Sequence, residues 1–425
     1  MEVREGYKQT EVGVVPEDWY VVSMGSLGAF SKGMGIKKDE AQSGNIPCVR
    51  YGEIYTHHND IVREFNSWIS PEVAKTSRRL KKGELLFAGS GETKEEIGKC
   101  VAFISEEEAY AGSDVVILTP NKGISKFFGY LFNAPIITKQ KANKGQGDAI
   151  VHISATALSS IRIPLPTLAE QEAIAEALSD SDALIESLET LLAKKRQVKQ
   201  GAMSELLTGK RRLVKSGKWE EKKLSDICWY QEGPGVRTWQ FTKSGIKLLN
   251  GTNIFSGEIN LDNTDRFISE NLAYGQYAHF MADSGDIVIA SSGITVEKFE
   301  EKVAFVRDEH LPLCMNTSTI RFKANKNVLQ SSFLYFLLMS NMFKKKIGHQ
   351  ATGSAQLNFG PAHLNKVLFK LPDLPEQTAI AEILSDMDTE IRTLEEKLSK
   401  ARQVKQGMMS ELLTGKIRLN HDEKD

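Results

Sequence analysis

The chain has 425 residues, 41% of them hydrophobic and 26% charged, with 54 basic against 55 acidic side chains and a formal net charge of −1. That length argues against a single compact domain and for two domains of ~100–200 residues with connecting elements. The neutral balance excludes a uniformly basic surface, although not a local basic face.

The longest apolar run, Phe333–Met339, is too short to span a bilayer, and the first residues are too acidic and polar for a secretion signal. A cytoplasmic protein without membrane association is expected. Cys48, Cys100, Cys228 and Cys314 lie far apart with no CxxC spacing, so they suit neither a disulfide framework nor a zinc knuckle.

In chain order, residues 1–166 are expected to form a mixed α/β domain, with short strands at Gly83–Ala88, Cys100–Ile104 and Val115–Thr119 and a helix over Ser125–Asn133. It carries two basic clusters: Arg78, Arg79 and Lys81, and then Lys139, Lys141 and Lys144, which lead into Gly145-Gln146-Gly147. Residues 167–210 read as one long helix. Thr167-x-x-Glu170 is a capping-box pattern, Gly209 has the character of a helix-terminating residue, and Ile174, Leu178, Ile185, Leu188 and Leu192 keep coiled-coil phase. Residues 211–372 form the second α/β domain, with strands at Asp286–Ala290 and Val303–Val306 and a helix over Ser332–Lys346. Its basic run Lys344, Lys345 and Lys346 leads into His349, Gln350, Ser354, Gln356 and Asn358. Residues 373–418 form the second long helix, with Ile380, Leu384, Met387, Ile391, Leu394 and Leu398 spaced alternately by four and three; residues 419–425 are a short tail.

The two helical stretches are copies. Leu165–Leu213 aligns without a gap onto Leu371–Leu419 at an offset of 206, with roughly two thirds of positions identical. The domains ahead of them correspond weakly: Trp19 with Trp219, Gly83-Glu84-Leu85 with Gly285-Asp286-Ile287, and Val101-Ala102-Phe103 with Val303-Ala304-Phe305. About 40 residues of helix make a rod of roughly 60 Å, which needs a partner along its length. The linker of about ten residues after Gly209 spans at most ~35 Å, so the second domain starts near the end of the first helix and the two rods should run antiparallel. Tyr7–Trp19 should then dock near Lys416, and the molecule should be a dumbbell with an internal two-fold repeat. Gly201 and Gly407 each weaken a helix by ~1 kcal/mol, which suggests close approach by another backbone.

Catalytic patterns are absent. Gly89–Lys94 lacks phosphate-loop spacing, and no GxSxG occurs. The acidic-x-Lys elements Glu92-Thr93-Lys94 and Glu300-Glu301-Lys302 do not correspond under the repeat, which argues against a metal-dependent nuclease. The basic clusters ahead of amide-bearing glycine loops suit phosphate anchoring followed by base-edge readout, since Gln and Asn pair bidentately with adenine. Taken by themselves, however, the clusters better suit solvated helix ends followed by turns.

The repeated LPxLxEQxAIAExLSDxD…RQVKQGxMSELLTGK, with YKQTEVGVVPEDW at the start and SGKWEEKKLSDI after the first copy, resembles the specificity (S) subunit of type I restriction–modification systems over essentially the whole chain. The resemblance implies two target recognition domains alternating with two conserved helical regions. Each domain would read one part of a bipartite DNA target, while the helices set the spacer and dock two methyltransferase subunits, which restriction subunits then join. It also implies a non-catalytic chain without a cofactor of its own, with S-adenosylmethionine, ATP and Mg on the partners. The alternatives are a coiled-coil scaffold without a DNA role and a metal-dependent nuclease.

Overall fold

The computed structural model describes residues 4–214, 217–262, 264–348 and 356–419. The chain divides into two units, Met1–Glu189 with Glu396–Asp425, and Thr190–Glu395. Each holds one α/β body, the N-terminal part of one long helix and the C-terminal part of the other, so the expected α+β repeat is the observed architecture.

In unit 1 the main sheet has the order Gly28–Lys32, Val115–Pro120, Leu85–Ala88, Cys100–Phe103, Ile61–Val62, antiparallel except for the last pair. The central strands are unbroken apolar runs because both faces are covered. Leu85, Phe87, Cys100, Ala102, Val116 and Leu118 join one core with the helix Ser125–Leu131 and with Ile174 and Leu178 of the first long helix. Their neighbours Leu86, Ala88, Val101, Phe103, Val115 and Ile117 fill a second core on the other face. Unit 2 repeats the sheet as Cys228–Glu232, Thr319–Ala324, Ile287–Ala290, Val303–Phe305. A smaller four-stranded sheet accompanies each main sheet.

Strand pairing corrects the expected repeat by one residue. Gly83 donates to Phe103 O, whereas its counterpart Gly285 donates to Val306 O. Val101-Ala102-Phe103 therefore matches Ala304-Phe305-Val306, and the sequence likeness of the two Val-Ala-Phe runs is out of register. Lys302 then corresponds to Lys99, and both do the same work. The Lys302 ammonium donates to the carbonyls of Gly251 and Ile254, and that of Lys99 to His58 O at 2.7 Å. Burial lowers both pKa values. A second correction concerns the helix expected over Ser332–Lys346, which is two helices, Ser331–Met339 and Asn341–Gly348. Ser340 has extended backbone and its hydroxyl accepts from Phe343 N, so a fresh cap starts the second helix.

The long helices span Leu168–Leu206 and Leu374–Leu412. Thr167 and Asp373 cap them, accepting from the amides of Glu170 and Glu376 at 3.3 and 3.1 Å. Gly209 and Gly415 end them at φ +71°, a left-handed conformation in which glycine carries no Cβ penalty. Ile174, Leu178, Ile380 and Leu384 are fully buried; Leu192, Ile391, Leu394 and Leu398 are nearly so, and Ile185, Leu188 and Met387 are half-buried. Within each unit the helix segments run antiparallel. Unit 1 pairs Asp182 with Lys405 and Glu189 with Arg402; unit 2 pairs Lys199 with Asp388 and Arg196 with Glu395.

The glutamates of the expected capping boxes serve a different purpose. Glu170, buried, accepts from the indole of fully buried Trp19 at 2.9 Å and from the guanidinium of Arg418, which also holds Asp18. Glu376 does the same in unit 2 with Trp219 and Arg212. As expected, the N-terminal segment docks near Lys416: the Tyr7 hydroxyl donates to Gly415 O at 2.9 Å. Among the described residues no helix is long and apolar enough to cross a membrane.

Candidate nucleic-acid interface

Alternating strand directions bring three loops to one edge of each main sheet. In unit 1 the first strand ends at Lys32, the second starts at Val115 and the third ends at Ala88, so residues 33–36, 112–114 and 89–91 converge. Gly33 donates to Val115 O, Gly89 to Asp114 O and Ser113 to Gly35 O, at 2.7–3.0 Å. Ile153 donates to Gly89 O and brings in the segment that follows Gln146. In unit 2, Gly233 donates to Thr319 O, Ser291 to Ser318 O and Phe359 to Ser291 O. The packing leaves no room for a side chain at the loop start: a Cβ on Gly33 would lie 2.0 Å from Gly112 O, and one on Gly233 2.4 Å from Asn316 O. Two residues of the unit 1 edge, Ile36 and Asp114, hold φ of +58° and +61°. Such backbone strain in a β-branched residue persists only when its surroundings over-determine it, and it gathers at functional sites.

Several of the expected contact residues lie at or beside this edge. Gln146 is exposed and its backbone pairs with His152, whose Nδ1 meets the Ser90 hydroxyl at 2.9 Å. Lys144 ends the helix Pro135–Lys144 just ahead of it, with Lys139 exposed on the same helix. Asn358, exposed in unit 2, accepts from Gly293 N at 2.9 Å, which fixes its carboxamide against the edge. Arg78 and Arg79 follow Ser77, against which Gly35 packs; Arg79 and Lys81 are exposed. Lys344, Lys345 and Lys346 flank the buried Phe343 and Ile347 on their helix, so the lysines point away from the core. His349, Gln350 and Ser354 lie outside the described residues, as does the side chain of Gln356.

Two expectations meet a structural obstacle. Lys141 is 1% exposed, and its ammonium donates to Gly98 O at 2.6 Å. Burial lowers its pKa to about 8. Arg78 is held at 2.8 Å by Glu84, whose side chain is 1% exposed and which also accepts from Thr119. Lys141 is committed inside the fold, while Arg78 is ion-paired but keeps part of its side chain at the surface. Sequence reasoning missed the glycine loops themselves. Gly33-Met34-Gly35-Ile36-Lys37 and Gly233-Pro234-Gly235-Val236-Arg237 share a Gly-x-Gly-aliphatic-basic pattern at an offset of 200, which comparison of the two domains alone would have revealed. The strands feeding them end differently, at Lys32 and at Glu232, whose carboxyl burial pushes up.

A second duplicated feature lies where the long helices pass each body. In unit 1 a cavity of about 900 Å3 is walled by Asp182, Glu186 and Glu189 of one helix and Arg402, Lys405 and Gln406 of the other. In unit 2 one of about 790 Å3 is walled by Asp388, Arg392, Glu395, Arg196, Lys199 and Gln200, the same positions shifted by 206. Burial works against the charge on Lys405, but Asp60 and Asp182, both at 2.7 Å, outweigh it and raise its pKa. Lys405 lies 5.2 Å over the Tyr130 ring, as Lys199 lies 5.7 Å over Phe336. Beyond these clefts, Gly201 and Gly407 are exposed, with nothing described within 4 Å of where a Cβ would sit. The close backbone approach expected there is not made by the described part of this chain.

The family model for the type I restriction modification DNA specificity domain matches twice, at residues 16–196 and 216–403. This chain belongs to the type I restriction–modification specificity family. Among relatives of this specificity subunit, the type I restriction enzyme MjaVIII specificity subunit of Methanocaldococcus jannaschii is 28% identical, with 98% of this chain and 97% of the relative aligned. The EcoKI specificity subunit of Escherichia coli K12 is 21% identical, over 92% and 86% respectively. The crystal structure of an S subunit from M. genitalium shares the fold with a TM-score of 0.59 at 14% identity, covering 97% of this chain and 98% of that one.

Proposed function

We propose that this specificity subunit reads a bipartite DNA target without performing chemistry on it, one half-site at the loop edge of each unit. The observation that carries this reading is the contrast within the repeat: loop edges built on one plan but with different side chains, against helical tails that are near copies. Divergent edges suit two different half-sites; near-identical helical tails suit two copies of one protein partner. That partner is a methyltransferase subunit, which supplies S-adenosylmethionine and flips the target base. Restriction subunits bring ATP and Mg. The neutral net charge fits this division, because partners that clamp the duplex can carry much of the phosphate contact.

Selection from randomised duplex DNA, with the chain alone and with its methyltransferase subunit, tests the reading. The expected result is two short specified blocks around a fixed gap. A contiguous motif, or none in either preparation, would leave the fold intact and remove the function.

A further inference from the structure

The glycine loop of unit 1 displays Met34, 57% exposed, and the short turn Thr238–Gln240 that follows the glycine loop of unit 2 displays Trp239, 82% exposed. Each is carried on a fixed backbone. Met34 N donates to Ala111 O, and the strained Ile36 two residues on is buried. Arg237 N donates to the Gln240 side chain at 2.8 Å, and Gln240, itself buried, is hydrogen-bonded to the Tyr277 hydroxyl. An indole held outward on a pinned turn is arranged as an anchor, since its ordering cost is already met in the free protein. Cations stand beside both side chains, and in unit 1 the acidic pair Asp39 and Glu40 comes only after them, with Glu40 turned back onto Lys37 N. Lys37 and Lys38 follow Met34, and Arg237 precedes Trp239, all exposed; the Arg266 guanidinium lies 5.6 Å over Phe241, two residues beyond Trp239.

We propose that Trp239 and Met34 are apolar wedges that enter a base step of their respective half-sites, with Lys37, Lys38 and Arg237 on the neighbouring phosphates. Apolar side chains inserted between base steps unstack and kink the duplex, which makes specificity depend on how deformable the step is. Met34 lies inside its glycine loop and Trp239 on the turn after its own, so the two half-sites would be deformed at different steps. The inference rests on the DNA-reading function proposed above.

The test uses the complex assembled with its methyltransferase subunit, a duplex carrying the selected motif, and 2-aminopurine placed in turn at each step of both half-sites. Besides the base that the methyltransferase flips, wild type should raise the probe's emission at one further step in each half-site. Trp239→Ala should lose the signal in one half-site only and weaken DNA binding about tenfold or more. Trp239→Phe should retain most of both, and Met34→Ala should lose the signal in the other half-site. Three results would overturn the wedge: variants that bind and unstack DNA as wild type does, loss of signal in both half-sites at once, or weakened docking of the methyltransferase subunit without DNA while the assembled complex reads DNA normally. A wild-type complex that selects no split motif would remove the function and the wedge together, whereas a split motif with silent variants removes the wedge alone.

Discussion

A basic residue near a glycine loop is a phosphate contact only if its ammonium reaches solvent, and Lys141 does not. Its neighbours Lys139 and Lys144 on the same helix are exposed and half-buried, respectively, because a helix of 3.6 residues per turn points the position between them inward. Lys141→Met preserves length and volume, and it should leave DNA affinity and its salt dependence unchanged. A lost phosphate contact would instead reduce the salt slope by about one. The lysine should show itself in stability. Its folded pKa, about 8, lies below its unfolded value, so below pH 8 both states hold the proton and the full burial penalty stands. As pH rises from about 8 to 10.5 the folded state sheds its proton first, and the penalty is relieved. Wild type should therefore gain stability relative to Lys141→Met across that window, as read by urea unfolding at several pH values. A difference independent of pH would mean that the amine titrates alike in the folded and unfolded states.

At the scale of elements, the long helices were legible because two independent signals agreed: caps at both ends and a seam of alternating four and three spacing. The box glutamates were misread because local sequence cannot distinguish a carboxylate that closes its own cap from one that receives a tryptophan and an arginine brought in from elsewhere. Gly201 and Gly407 are the more informative exception. Each sits in an exposed helix interior where alanine should fit without a clash, so Gly201→Ala with Gly407→Ala should stabilise the isolated chain by ~1 kcal/mol per site. If a methyltransferase helix approaches there, the same pair of substitutions should weaken its docking. A rise in melting temperature with unaltered docking would mean that the glycines have no interface role.

For the whole molecule, two copies of one plan mean that each half can change separately. Inserting one heptad after Glu189 and another after Glu395 keeps the seam in phase and lengthens each helix by ~10 Å, or about three base pairs of duplex. The selected gap should widen by about that amount with both half-site sequences unaltered. Altered half-sites, or an unchanged gap, would mean that the helices do not set the spacing.

Sequence by itself determined the repeat, the long helices and the docking of Tyr7–Trp19 near Lys416. These follow from local periodicity, caps and linker length, which a chain carries along its own axis. Only the tertiary structure decided which side chains share an edge. Residues 33–36, 89–91 and 112–114 meet because antiparallel pairing folds distant strand ends together, and Lys141 is withdrawn because Gly98 takes its ammonium inside. The one-residue shift that pairs Lys302 with Lys99 is of the same kind, since hydrogen-bond register, and not residue likeness, sets which positions of two related strands are equivalent.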